Sequence, residues 1–186
     1  MKPILKDFLE EFYTERLLIR KPMSGDGQAV YEAMQASIEE LMPWMPWAHR
    51  EQTELVVEAN MRDAHAKFLT REDLRLHLYD KETGKFIGSS GLHRINWDVP
   101  KFEIGYWIDS RYSGKGYITE AVEAITNFAF TELKARRVEI RCDSKNVRSK
   151  AIPERLGFNL EGILINDAFS ADGSELRDTC IFAKTN

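Results

Sequence analysis

Hydrophobic and polar positions alternate through the middle of the chain, which is the pattern of half-buried β-strands. Residues 74–79 alternate strictly between leucine and a polar or aromatic side chain. Two further runs, 86–96 and 101–109, follow after short segments that contain glycine or proline together with charged residues. Because such short turns join antiparallel neighbours, these three runs predict an antiparallel meander.

A longer period of three to four residues predicts the helices. It is clearest in residues 118–133, where apolar side chains recur on one face. The predicted helices are 28–38, 53–69, 118–133 and 147–156. The remaining predicted strands are 14–20, 138–142, 158–166 and 175–184. Residues 1–12 fit either a short amphipathic helix or a loose arm. This order predicts an α+β fold, in which a helix crossover, one parallel strand and a closing hairpin follow the meander.

Size and composition predict one globular domain that spans residues 1–186. The chain is 43% hydrophobic and 30% charged, and its net charge of −4 argues against a general nucleic-acid partner. No run approaches the roughly 20 apolar residues of a membrane span, so no membrane partner is expected. Charge interrupts the first residues, which argues against a secretory signal and predicts a cytoplasmic protein.

Cysteine and histidine usage predicts no metal site. Cys142 and Cys180 are too few for a disulfide framework or a cysteine-based zinc site, and we expect two reduced thiols. The four histidines are scattered, without the spacing of metal ligands. These histidines are His49, His65, His77 and His93.

A glycine turn, Arg111–Tyr117, separates the strand 101–109 from the helix 118–133. Its glycines, Gly114 and Gly116, lack Cβ and allow an anion to approach the main chain. The N–H groups and the dipole of the following helix favour negative charge there. A plain strand-to-helix turn is the alternative. Other phosphate loops fit less well, because a nucleotide-hydrolysing loop has Ser or Thr after its Gly-Lys pair, and a dinucleotide fold needs a third glycine.

Several motifs at fixed spacing accompany this turn, and together they resemble the GNAT acetyltransferase superfamily. The chain is most similar to the branch of ribosomal-protein N-acetyltransferases. The resemblance covers nearly the whole chain and implies a GNAT fold, with a mixed, mostly antiparallel sheet of about seven strands, flanked by helices and splayed at its centre. The matching segments are 14–20, the Trp-Pro loop 43–47, Phe102–Ile108, Arg111-x-x-Gly114-x-Gly116, Asn146-x-x-Ser149 and Leu156-Gly157-Phe158.

This resemblance implies acetyl-CoA as a cosubstrate and a set of residues that bind it. The glycine turn would hold the pyrophosphate, and Arg111 and Lys115 would add positive charge. Trp107 and Ile108 would contribute main-chain groups to the pantetheine, and Asn146 would cap a helix while binding a cofactor amide. The implied cofactor-binding residues are Trp107, Ile108, Arg111, Gly114, Lys115, Gly116, Tyr117, Ile118, Thr119, Asn146 and Ser149.

Acetyl transfer to an amine needs a proton acceptor for the amine, a donor to the oxyanion and a proton for the departing thiolate. Glu103 is the first candidate base, acting through water, and a structural ion pair is the alternative for it. Asp167 is a second candidate base or an amine anchor. Ser149 is the candidate acid, because Pro153 stands where the wider superfamily often has a tyrosine.

The acceptor itself is not identified by the sequence. Candidate substrate-binding residues are Trp44, Trp47, His93 and Asp167. The resemblance favours a protein N-terminal amine, such as that of a ribosomal protein, and a possible homodimer. A small amine, such as a polyamine or an aminoglycoside, is the alternative acceptor, and a non-catalytic CoA-binding module is the alternative class.

Overall fold

The computed structural model describes residues 2–186, which form one eight-stranded sheet with helices on both faces. The strands are β1 (Glu11–Tyr13), β2 (Leu17–Arg20), β3 (Leu74–Asp80), β4 (Phe86–Asn96), β5 (Lys101–Ile108), β6 (Arg137–Asp143), β7 (Asn159–Phe169) and β8 (Leu176–Thr185). The helices are α1 (Gly27–Ala36), α2 (Ile38–Leu41), α3 (Glu54–Thr70), α4 (Tyr117–Thr131) and α5 (Val147–Arg155). The spatial order is β1-β2-β3-β4-β5-β6-β8-β7, and only β5 and β6 run parallel.

The predicted α+β fold with a mostly antiparallel sheet is confirmed, and one short strand adds to the predicted seven. Within residues 2–12, Pro3–Leu5 form a 3-10 turn, and the chain then enters β1, which pairs with β2. The ring of Phe12 stacks on Phe128 of α4 at 4.9 Å between centroids. The segment is therefore neither an amphipathic helix nor a loose arm, while Met1 lies outside the described residues.

Strand alternation divides the core into two layers. Leu76 and Leu78 of β3 and Ile104 of β5 are buried in the larger core together with the apolar face of α4. Tyr79, the neighbour of Leu78, is on the opposite face and packs in a second cluster with residues of α1 and α3. The sheet thus lies between α4 on one face and α1 and α3 on the other. None of the helices within residues 2–186 is long and apolar enough to span a membrane.

The two central strands separate soon after they meet. Residues Lys101–Glu103 of β5 pair with Arg137–Glu139 of β6, and the ladder then stops. Beyond that point β5 still pairs with β4 as far as Ile108, and β6 still pairs with β8 as far as Asp143. A gap therefore opens between two strands that each keep only their outer neighbour.

A buried ion pair fixes the chain where it enters α1. The carboxylate of Asp26 accepts two hydrogen bonds from the Arg20 guanidinium, at 2.7 and 2.8 Å, and one from His77 Nδ1 at 3.3 Å. Burial opposes ionisation of Asp26, but the bonds from Arg20 and His77 outweigh it and hold the pKa of Asp26 well below its usual range. Burial also lowers the pKa of His77, whose side chain is fully enclosed.

Both titrations predict a loss of stability in acid. The depressed pKa of Asp26 gives stability that is present above the unfolded value of about 3.9 and is lost as the pH falls below it. The depressed pKa of His77 means that the unfolded state binds a proton first, so stability also declines below about pH 6.5. We expect the urea midpoint to fall in these two steps.

Asp26→Asn should lower the free energy of unfolding by about 3 kcal/mol, because it leaves the Arg20 charge without its partner. The variant should keep the His77 step and lose most of the step below about pH 4. Asp63→Asn, which alters an exposed carboxylate on α3, is the matched control and should behave like wild type. Equal acid profiles for wild type and Asp26→Asn would contradict the assignment.

Candidate functional site

The gap between β5 and β6 opens into a cleft with a volume of about 1120 Å³. Its floor is the end of β5, from Tyr106 to Ile108. One wall is formed by the N-terminal turns of α4 and by α5, and the other by the segment around Trp44. Because the cleft follows the gap, it reaches both faces of the sheet.

Main-chain groups of β5 face this gap in alternation. The Asp109 N–H donates to the Ile87 carbonyl at 2.9 Å, and the Gly105 carbonyl accepts from Ser90 Oγ at 2.8 Å. The odd-numbered positions therefore direct their polar groups to β4, and the even-numbered positions direct theirs toward β6. The Ile104 N–H still belongs to the β5–β6 ladder, whereas the main-chain groups of Tyr106 and Ile108 face the gap. The main chain of Ile108 is free for a ligand, whereas that of Trp107 faces β4, and only its side chain lines the cleft.

The glycine turn gives the cleft an anion-binding end. Gly114 and Gly116 have φ values of +75° and +81°, which favour glycine. A Cβ at Gly114 would have nothing within 4 Å, so the main chain there is open to a ligand. Gly116 is the N-cap of α4 without a side-chain cap, and Tyr117–Thr119 line the cleft. The first N–H groups of this helix are thus available to a phosphate.

The charges nearest to this end differ from those predicted. The Arg111 guanidinium is held by the buried Asp109 carboxylate at 2.5 Å, a hydrogen bond that raises the pKa of Arg111. Lys115 Nζ donates to the Arg111 carbonyl at 3.3 Å, and neither cation lines the cleft. Instead Arg148 and Arg155 of α5 line it. Arg155, which also donates to Thr119 Oγ1 at 3.0 Å, had no distinguishing signal in the sequence.

Ser149 is held at the start of α5 by two neighbours. Asn146 caps the helix, accepting from the Ser149 N–H at 3.0 Å. Tyr106 donates its hydroxyl to the Ser149 carbonyl at 2.8 Å, and Ser149 Oγ lies 3.3 Å from the same hydroxyl. That carbonyl has no helical partner, because Pro153 has no N–H to offer. Burial raises the pKa of Tyr106, which therefore stays protonated as a donor.

Tyr106 is a site residue that the sequence analysis missed. The available signal was Pro153, which leaves the Ser149 carbonyl without an N–H partner four residues later. The alternation Phe102, Ile104, Tyr106 then puts the tyrosine on the face of β5 that α4 and α5 cover.

Glu103 is on the opposite face of β5 from Tyr106, at the point where β5 and β6 separate. Its Oε2 is 3.6 Å from Nε of Arg94 and 3.6 Å from Nε of Arg141, and its side chain is only 19% exposed. The predicted alternative of an ion pair is therefore present. The pairing leaves the carboxylate at the margin of the gap, next to the parting strands.

The predicted substrate-binding residues do not come together. Trp44 lines the cleft, whereas Trp47 packs on Trp107, with 5.7 Å between ring centroids. His93 Nδ1 is 2.7 Å from Asp73 Oδ2. Asp167 is exposed in an irregular part of β7 and does not line the cleft. Within residues 2–186 no cluster of three potential metal-ligating His, Cys, Asp or Glu side chains occurs.

Sequence comparison places the chain in a family. Residues 16–159 match the profile described as "Acetyltransferase (GNAT) domain". This match covers most of the chain, which therefore belongs to the GNAT acetyltransferase family, as the motifs predicted.

Three individual proteins illustrate the similarity. YdaF of Bacillus subtilis (strain 168), named as a ribosomal N-acetyltransferase, is 44% identical over 85 residues, covering 46% of this chain and 45% of YdaF. The ribosomal-protein-serine acetyltransferase of Escherichia coli (strain K12) is 34% identical over 90 residues, covering 46% and 50%. The chain thus matches about half the length of these relatives. A crystal structure described as a probable acetyltransferase superposes with a TM-score of 0.87 at 26% identity, over 95% of this chain and 97% of that one.

Gly114→Ala tests the anion-binding end of the cleft. A Cβ would occupy the open space above the turn, so coenzyme A should bind about tenfold more weakly in a calorimetric titration. The left-handed backbone should also cost about 1 kcal/mol of stability. Gly173→Ala is the matched control, because Gly173 has the same φ of +75° and the same empty surroundings in the β7–β8 turn. It should lose the same stability without weakening binding, and equal binding by the two variants would contradict the site.

Proposed function

We propose that the protein is an acetyl-CoA-dependent N-acetyltransferase that acts by direct transfer on a primary amine. The acceptor in this proposal is a protein N-terminal amine, such as that of a ribosomal protein. The observation that carries it is the continuous cleft, which joins the free edge of β5 to the uncapped N-terminus of α4. Family membership supports the same chemistry.

The residues of the cleft fit both the pyrophosphate and the pantetheine amides of the cofactor. The N–H groups at Gly114–Thr119 would hold the pyrophosphate, and Arg148 and Arg155 would add the compensating charge. The free main-chain groups at positions 106 and 108 would bind the pantetheine amides, beside the side chain of Trp107. Arg111 and Lys115 would stabilise the turn rather than touch the phosphates, because both are bonded within it.

Bound acetyl-CoA supplies an acetyl thioester, and the chain supplies the proton transfers around it. Ser149 would give its hydroxyl proton to the departing sulfur, with Asn146 and Tyr106 holding it in place. Main-chain N–H groups on the free edge of β5 would stabilise the oxyanion. Glu103 would be the carboxylate that receives the amine proton, through an intervening group.

The acceptor would enter from the side of Trp44 and Glu40, which line the cleft opposite α5. An aromatic face and a carboxylate attract a cationic amine before it loses its proton. Trp47 would act indirectly, by supporting Trp107. Asp167, exposed on β7, would contact a longer acceptor outside the cleft. The names of the two bacterial relatives support a ribosomal protein as the acceptor.

We extend the proposal to the domain organisation, the location and the oligomeric state of the protein. Residues 1–186 would act as a single domain in the cytoplasm, where ribosomal proteins are made. A homodimer is supported by the sheet edge at β7, where apolar side chains remain exposed. These side chains are Ile163, Ile165 and Phe169, with exposures of 46%, 69% and 66%.

An acetylation screen tests the activity. Purified protein with acetyl-CoA should add one acetyl group to the N-terminal amine of short peptides, detected by mass spectrometry, with release of free thiol. Polyamines and aminoglycosides should react more slowly. If a small amine is acetylated faster than the peptides, the acceptor is a small amine and not a protein N-terminus. Cofactor binding with no transfer to any amine would favour the non-catalytic module instead.

Ser149→Ala tests the proton donor. It should lower kcat by roughly 100-fold, since the thiolate loses its general acid, while coenzyme A binding changes little. Ser24→Ala, an exposed serine before α1, is the control and should leave kcat unchanged. An unchanged kcat in Ser149→Ala would remove this serine from the chemistry.

A further inference from the structure

His93 is held by its surroundings in a single orientation. Its Nδ1 lies 2.7 Å from Asp73 Oδ2. The ring covers two glycines, Gly91 and Gly105, which face each other across the β4–β5 ladder. A Cβ on Gly105 would be 3.4 Å from the His93 Cδ2, and one on Gly91 would be 3.1 Å from its Cε1. The absence of side chains at both positions makes room for the imidazole.

This arrangement fixes which ring nitrogen is basic. A carboxylate can only accept a hydrogen bond, so Nδ1 carries a proton, and the lone pair of the neutral ring is on Nε2. Among residues 2–186 only Asp73 forms a hydrogen bond with this side chain, through Nδ1, so Nε2 is free. The side chain is 28% exposed, so a substrate can reach it.

The position of His93 brings its Nε2 near the gap between β5 and β6. Nε2 would be 3.7 Å from a Cβ on Gly105, the second residue after the β5–β6 ladder ends. Trp107, which lines the cleft, follows Gly105 on the same face, about 7 Å along the strand. Glu103 precedes Gly105 on that face and is the Cα partner of His93. Along β5 the imidazole therefore lies between the candidate carboxylate and Trp107, at the margin of the cleft and outside its lining.

We propose that His93 Nε2 takes the proton from the attacking amine, with Asp73 as its positioning residue. This inference rests on the proposed acetyl transfer and identifies the group that intervenes between the amine and Glu103. As the amine nitrogen bonds to the thioester carbon, one N–H bond breaks and an Nε2–H bond forms. The C–S bond breaks, and the sulfur takes the Ser149 proton.

The resting state is restored by two further transfers. The imidazolium passes its Nε2 proton to water, either directly or through the Glu103 carboxylate, and Ser149 regains a proton from water. Carboxylates and guanidinium groups both surround the ring, and the two carboxylates would stabilise a transient positive charge. Asp73 contacts it before β3, and Glu103 faces it on β5. The cationic neighbours are Arg75 on β3, opposite Gly91, and Arg94 and Arg141, which are paired with Glu103.

The test compares wild type with His93→Ala under saturating acetyl-CoA and peptide, across pH. We expect His93→Ala to lower kcat by roughly 100-fold, to leave the KM for acetyl-CoA unchanged and to lose the acid limb of the kcat profile. Added imidazole should restore part of the lost kcat. His65→Ala, in which the lost histidine bonds the Pro22 carbonyl away from the cleft, is the control and should retain wild-type kcat.

Two further variants separate the role of His93 from those of Asp73 and Glu103. Asp73→Asn keeps the imidazole and should lower kcat about tenfold while retaining an acid limb. Glu103→Gln should also retain the limb, because this variant still carries the His93 imidazole. Wild-type kcat in His93→Ala, or a loss that imidazole does not rescue, would overturn the proposal.

If circular dichroism shows that His93→Ala is unfolded, Asp73→Asn decides, and wild-type kcat in it would overturn the proposal. A wild-type protein that binds coenzyme A but acetylates no amine would overturn the proposed function instead.

Discussion

The early parting of β5 from β6 is the constraint on which the rest of the site depends. The two strands pair over only three residues each, although both continue for several more. Polar main-chain groups on the free edge of β5 must find other partners, because burying them unpaired is costly. The α4 helix is seated beside the same gap and brings an uncapped, positively polarised N-terminus to it. Backbone geometry alone thus produces an elongated site that is amide-rich along one side and anion-binding at one end.

Most of the fold could be predicted because its elements carry local periodicity. The α4 helix and the three-stranded meander each show their period in the residues that form them. Strand β1 could not be found this way, since three residues are too few to establish a period. It exists because the strand pairs with the adjacent β2 and because Phe12 stacks on Phe128, a contact that joins distant parts of the sequence.

For the same reason, some parts of the site could be predicted from the sequence and others could not. The glycine turn was predictable, because its conformation is determined by the residues within it. The partners of its charges were not, and the Arg111 guanidinium proves to be committed to Asp109. The bond between Tyr106 and Ser149 joins residues 43 positions apart, and that between His93 and Asp73 spans 20. Such pairs follow from strand register and helix packing, which sequence patterns do not specify.

Residue-resolved amide hydrogen exchange, with and without acetyl-CoA, tests the central claim most directly. The amides of Tyr106 and Ile108 face the gap and should exchange faster than those of Gly105 and Trp107, which face β4. Added acetyl-CoA should protect the gap-facing amides and those of Tyr117–Thr119. Unchanged protection at these positions, with the cofactor shown to bind, would contradict the assignment of the gap as the cofactor site.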